Sequence, residues 1–445
     1  MKTLILIAVS TVMLVISGKA GVCMAQEVVV ENDSGVGARA MGMGAAQIAA
    51  VNGVAGVLYN PAALARIKEL EIEFGLDLMK RKIGSILSSS MGKGVTSATT
   101  DFSCLGTLGI AYPVPTDRGS LVLALGYNRV KDFSGRLKID GYNDYLRGIQ
   151  TGESIEEGGI GIVSLAGAVD ISPNISIGAS FDIWLGNYTR DNHSLINDET
   201  EQYSQLDING LDNDISAWSI KPSILYFKDN FRFGAYVRIP MTFHIQESFH
   251  TEGYSRNDGK YFSLYERIDP SSQFTDEDFT YIDNMSYKLK APMQIGMGVS
   301  WGSPGSNCIA FDIIYENWTQ AKLLYPADYM PEPNYFRDKY RSALNWRVGV
   351  EKTLPFIDAV GRAGYMRYPL IFRGPRGDDF SDPMIAVTNE RDFVTLGLGM
   401  QFDRSLGIDI GYAHGLWSQE ETPREDKDNL NRVYISINYR MLAHQ

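Results

Sequence analysis

Apolar and polar residues alternate with a period of two along most of the chain. In SLVLALGYNRV (120–130), Leu121, Leu123, Leu125 and Tyr127 share one face, and Val122, Ala124, Gly126 and Asn128 share the other. NISIGASFDIWL (174–185), FVTLGLGMQFD (393–403) and VYISINYR (433–440) repeat the pattern. That period marks strands with one apolar and one mixed face. Applied throughout, it predicts fourteen strands, near 70–77, 103–113, 119–133, 158–171, 174–188, 214–227, 230–249, 284–301, 307–319, 342–354, 357–369, 391–403, 405–417 and 431–441. Pro240 and Pro292 fall inside two of these spans and predict kinks or bulges there.

The connections alternate long and short. The long ones are 78–102, 134–157, 189–213, 250–283, 320–341, 370–390 and 418–430; between them stand turns at 114–118, Ser172-Pro173, Asp229, 302–306, Pro355-Phe356 and Arg404. Short turns at one end, long loops at the other and an even strand number describe a transmembrane β-barrel, a closed antiparallel sheet. Its apolar face meets lipid. Its other face holds Asp182, Lys221, Arg232, Arg238, Asp312, Glu316, Arg347, Glu351, Arg362, Asp409 and Arg440, mixed charges that suit a filled lumen. Tyr112, Tyr127, Trp218, Tyr226, Trp301, Tyr315, Trp346, Tyr365, Tyr412, Trp417 and Tyr439 lie near strand ends, as aromatic girdles would.

The first 25 residues break the pattern. Lys2 precedes an apolar run from Leu4 to Ile16 and then small residues, a secretory signal peptide with cleavage after Ala25 or Ala20. Its removal takes away Lys2 and Lys19 and deepens a formal net charge that is already −12, which excludes a nucleic-acid partner. Cys104 and Cys308 remain in separate strands and are expected as free thiols.

Residues 26–69 precede the first strand and are Gly/Ala-rich and apolar. In GVLYNPAALARI (56–67), Asn60 caps and Pro61 takes the first position of a short helix. A fourteen-stranded barrel is too wide for side chains alone to fill. A compact plug over 26–69 inside a barrel over 70–445 is therefore expected.

The run SGVGARAMGMGAAQIAAVNGVAGVLYNPAALARI (34–67) resembles the N-terminal region of the FadL-like outer-membrane transporters of long-chain fatty acids and aromatic hydrocarbons. That family carries Gly-Ala-Arg-Ala-Met-Gly-Met-Gly, here Gly37 to Gly44, and Asn-Pro-Ala, here Asn60, Pro61 and Ala62. The resemblance implies a plugged barrel in the outer membrane of a Gram-negative bacterium. It also implies passive uptake of hydrophobic small molecules, gated by the N-terminal hatch, and ligand release near a kinked third strand. Expected partners are outer-membrane lipid, a hydrophobic small-molecule ligand and the barrel-assembly machinery, with the barrel a monomer. Two departures stand out. The chain runs past Tyr439 to Met-Leu-Ala-His-Gln, and the hatch begins with the acidic EVVVENDS (27–34). Relatives that shuttle secreted proteins and carry no lipid make a scaffold the alternative function.

Hydrophobic cargo needs apolar surface in the lumen and at the outer mouth. Met41, Met43, Leu58, Tyr59 and Leu64 in the hatch, and Leu206, Leu211, Phe262, Leu264 and Tyr265 in the third and fourth outer loops, are the candidates. Arg232, Arg238, Arg347 and Arg362 are candidates for a carboxylate head group or for lumen ion pairs. Gly126 is the candidate kink in the third strand. No cofactor or metal is expected: DINGLDND (207–214) lacks the calcium-loop pattern with its final Glu. No nucleophile motif accompanies the five histidines, so no enzyme is expected.

Overall fold

The computed structural model describes residues 35–441 apart from 145–146, 199, 201, 267, 269–278, 325–334, 370, 372–385, 388–390 and 422–423. The predicted signal peptide and the acidic stretch 27–34 lie outside the described residues. The chain forms a closed antiparallel barrel of fourteen strands. They are β1 (Leu70–Ser89), β2 (Gly92–Val114), β3 (Leu121–Asp132, continuing as Gly135–Asn143), β4 (Gly148–Ser172), β5 (Ile175–Asp198), β6 (Tyr203–Lys228) and β7 (Phe231–Arg238, then Met241–Arg256). There follow β8 (Phe279–Ala291, then Gln294–Ser303), β9 (Asn307–Asn317), β10 (Ser342–Leu354), β11 (Ala359–Tyr368), β12 (Arg391–Gln401), β13 (Leu406–Glu421) and β14 (Arg424–Met441). β14 closes onto β1, from Leu70 opposite Met441 to Leu87 opposite Arg424.

The lipid-facing positions are those the alternation assigns. On β1, Ile72, Phe74, Leu76 and Leu78 are exposed while Glu73, Asp77 and Met79 between them are buried. Tyr112, Trp301 and Tyr439 ring the short-turn end, and Trp218, Tyr315 and Tyr412 stand outward higher up. Trp417 does not join the girdle: it is buried inside against Phe393. Cys104 and Cys308 are free.

The turns at the short end fall where expected, but most of the expected long loops are strand. Residues 78–102 are the upper halves of β1 and β2 around a turn at Ser90-Met91, and 189–213 are the upper halves of β5 and β6. β5 and β6 have 24 and 26 residues. At ~3.3 Å per residue and a ~40° tilt they rise roughly 60 Å, well over twice an apolar band of about 25 Å. β9 to β12 are shorter, so the wall is tall on one side only. Above the bilayer both strand faces meet water or polar neighbours. The backbone ladder continues there while the apolar alternation stops.

Three breaks interrupt the wall. β7 breaks at Ile239-Pro240 and β8 at Pro292-Met293, opposite each other, because two prolines withhold ladder donors; pairing resumes at Arg238 with Gln294 and at Met241 with Ala291. The kinks expected at these prolines are present. The third break is in β3, at Phe133-Ser134.

Candidate functional site

Residues 35–69 fill the barrel. They form α1 (Ala38–Gly42), α2 (Gly56–Tyr59) and a 3-10 helix, Pro61–Arg66. Asn60 is fully buried. Its Oδ1 accepts from Ala62 N at 3.1 Å, capping the 3-10 helix, and its Nδ2 donates to the Ile48 carbonyl at 2.7 Å and to Ile224 on β6 at 3.3 Å. Asn-Pro-Ala is thus a cap that also ties two hatch segments to the wall.

The wall is shaped to receive the hatch backbone. Lumen-facing glycines stand in nine strands: Gly109, Gly126, Gly178, Gly234, Gly298, Gly349, Gly364, Gly397 and Gly411. A methyl group on Gly349 would collide with the Met43 carbonyl, on Gly364 with Gly44 N, and on Gly411 with the Ala38 carbonyl; on Gly178 it would lie 2.6 Å from Ala62 N. Only a missing side chain allows this approach. Polar wall groups then meet the hatch main chain. Asp312 accepts from Gln47 N and Ile48 N at 2.6 and 2.8 Å, Thr395 from Gly44 N at 2.9 Å, and Ser436 from Ala38 N at 3.0 Å. Arg39 bridges to Glu351 at 2.8 Å and Arg66 pairs with Asp170.

On the tall side of the hatch lies a cavity. Ile48, Leu58, Val130, Ile162, Trp184 and Ile314 form its apolar walls; Lys221, Arg238, Arg347, Asp182, Tyr236 and Asn345 bring polar groups to it. Arg238 lies 5.1 Å from the Trp184 ring and donates to Glu316 at 2.8 Å; Arg347 donates to the Ala45 carbonyl at 3.2 Å; Lys221 donates to the Leu58 carbonyl. The Asp182 Oδ1 atom is buried with no partner among the described residues. The space is a slot of mixed lining, with apolar side chains beside buried cations and one carboxylate. The cavity reaches β3 at Val130, just where its ladder with β2 ends. β2 and β3 pair only from Val114–Leu121 to Thr107–Asn128. Beyond, β3 shifts register against β4 at Arg129/Lys131 and breaks; its upper part pairs in the ladder with β4 and packs across the upper ends of β1 and β2, with Gly94 against Asp140 and the Thr96 hydroxyl donating to the Lys138 carbonyl, and at the break the Arg129 guanidinium stands 5.1 Å from the Phe102 ring.

A hatch-filled barrel of fourteen strands, its ladder interrupted at the third, can be set against solved structures. The toluene transporter TodX of Pseudomonas putida aligns over 93% of this chain and 100% of its own, with a TM-score of 0.61 and 14% identity. A FadL homologue of Pseudomonas aeruginosa aligns over 91% and 98%, at 0.58 and 13%. The monoaromatic hydrocarbon channel CymD aligns over 93% and 100%, at 0.56 and 14%. The chain has the FadL-type barrel fold. No family model and no curated protein matches it.

Within this FadL-type barrel the candidate residues separate. Leu58 and Tyr59 line the cavity, with Arg238 and Arg347. Met41, Met43 and Leu64 are fully buried and line none of it; they pack hatch against wall in three different clusters. Arg232 and Arg362 do not line it either, and Arg362 is held by Glu351 at 3.2 Å and Asp409 at 2.7 Å. Leu206 and Leu211 belong to β6, not to a loop: Leu206 packs with Phe262, Tyr254 and Leu195 against partly buried Leu264, and Leu211 lies in the inner core. Tyr265 stays exposed beside the His193 ring at 5.1 Å. Gly126 sits in unbroken pairing with Gly109 and Ser164 and makes room for Val57; the break lies farther up, at 133–134. Trp184, Val130, Ile162 and Tyr236 were not singled out from the sequence, because lumen neighbours on separate strands meet only once register is known. Among the described residues no group of three or more His, Cys, Asp or Glu is placed to hold a metal ion.

Proposed function

We propose that the chain is an outer-membrane channel for passive uptake of hydrophobic small molecules, with the end that carries the Ser90-Met91 turn outward. One observation carries the proposal: a cavity with apolar walls and buried cations is held between hatch and wall, next to the point where the β2–β3 ladder ends. The neighbours described as toluene and hydrocarbon channels support it at the level of the fold. Lys221 and Arg347 favour cargo with an anionic head group, such as a long-chain fatty acid, over a bare hydrocarbon.

The cavity is closed to cargo as it stands. Its volume is about 60 Å³, below the roughly 150 Å³ of a cavity that binds benzene. The whole hatch does not leave to open it, because eleven hatch–wall hydrogen bonds and ion pairs among the described residues at about 1 kcal/mol each exceed what a micromolar ligand supplies. Local movement of Leu58 and the strap around Tyr59 opens the slot, and cargo leaves through the gap above Asn128.

The test is competition binding of a labelled long-chain fatty acid and of an alkylbenzene to the purified protein. K221Q with R347Q is expected to weaken the fatty acid about tenfold and leave the alkylbenzene unchanged. Saturable binding of neither ligand would overturn the channel in favour of a barrel that serves secreted proteins.

A further inference from the structure

The outer face of β7 to β9 carries a charge arrangement that transport does not explain. Along the lower part of β8, Met293, Met297, Val299 and Trp301 are exposed to lipid. Above the Pro292 break, Tyr287, Leu289 and Ala291 are buried in the inner cluster, so Lys288 and Lys290 point outward, where both are exposed. β9 turns through a 3-10 turn, Trp318–Gln320, and returns as the short strand Lys322–Leu324. It sets Lys322 directly opposite Lys290, and Leu324 opposite Lys288. On the other flank His244 of β7, also exposed, stands opposite Lys288.

Like charges facing each other across a ladder destabilise it. Among the described residues, none of these three lysines has an ion-pair partner. Two lysines on the opposite face of the barrel are compensated: Lys80 has Asp101 at 3.8 Å and Lys427 has Glu425 at 3.1 Å. Height supplies the second observation. Lys290 lies roughly 28 Å above Trp301 at ~3.3 Å per residue and a ~40° tilt, against an apolar band of about 25 Å. The three ammonium groups therefore stand at the upper edge of the lipid-facing surface, where phosphates of the outer leaflet lie.

We infer that Lys288, Lys290 and Lys322 form a docking site for the phosphate groups of an anionic lipid of the outer leaflet. The lipid's acyl chains lie along Met293, Met297 and Tyr315 below, and its phosphates relieve the Lys290–Lys322 repulsion. This depends on the end with the Ser90-Met91 turn facing outward, and not on what the barrel carries.

The experiment places the full chain in phosphatidylcholine nanodiscs doped with lipid A, a bisphosphorylated glycolipid, and counts retained lipid A by native mass spectrometry. Each lysine removed is expected to lower retention about fivefold, so K288Q/K290Q/K322Q loses nearly all of it, while K80Q does not change it. Excess inorganic phosphate is expected not to displace the lipid. Wild-type retention by the triple variant overturns the site, as does displacement by inorganic phosphate, which would make it a site for free anions. If the triple variant fails to fold, K290Q alone decides, and unchanged retention there overturns the site. Fatty-acid binding, measured in parallel, reports separately on the channel.

Discussion

Tyr59 fastens the hatch to itself. Its hydroxyl accepts from Val36 N at 2.8 Å and donates to the Val36 carbonyl at 2.9 Å. Burial raises its pKa above the ordinary phenol value, so it remains a donor at every physiological pH. Tyr59→Phe strands both backbone groups of Val36 in a buried site, at about 1–3 kcal/mol for each. Amide exchange at Val36 is expected to speed up about ten- to a hundredfold, with the Ile48 amide, held by Asp312, unchanged. The wall glycines make a sharper prediction. Gly349→Val sets a side chain against the Met43 carbonyl, so the hatch must shift. Ion conductance across a planar bilayer is expected to rise while the barrel keeps its detergent-resistant mobility. Gly84→Ala, whose methyl has no neighbour closer than 3.8 Å, is expected to change neither.

At the scale of elements, the sequence made some features legible and hid others for physical reasons. Strand centres and short turns are visible because lipid on one side and lumen on the other impose alternation, as on β1 from Ile72 to Met79. The upper halves of β5 and β6 carry no such contrast, and DINGLDND reads as a loop although each of its residues is paired with β5. Leu206 and Leu211 were misplaced for that reason. The Asn60 cap was legible because capping is local; the cavity was not, because Trp184 and Lys221, on β5 and β6, meet Arg347 of β10 only in the closed barrel. Gly126 misled because a glycine in a strand marks either a bend or a close approach, and here it is the approach of Val57. The break above it can be tested. Deleting Phe133 and Ser134 removes an even number of residues and keeps each face in place. The β2–β3 ladder is then expected to extend past Asn128. Uptake into proteoliposomes should fall severalfold while ligand binding in detergent persists; undiminished uptake would argue against lateral exit.

Across the whole molecule, the hatch touches almost every part of the wall, and its attachments jump across the sequence. Ala38 bonds to Ser436, Gly44 to Thr395, Gln47 to Asp312 and Ala62 to Ser223. The one seam that joins the first strand to the last runs beside it, from Leu70–Met441 to Leu87–Arg424. A plug whose backbone rests on wall glycines from β2 to β13 fits most simply if the sheet curls around it before that seam closes, as cloth is wound on a mandrel. The glycines then set the circumference: each strand is drawn in until main chain meets main chain. A chain lacking residues 26–66 is expected to fold more slowly, as contacts of such sequence separation would have to form without a template, and to give barrels of lower and less uniform thermal stability.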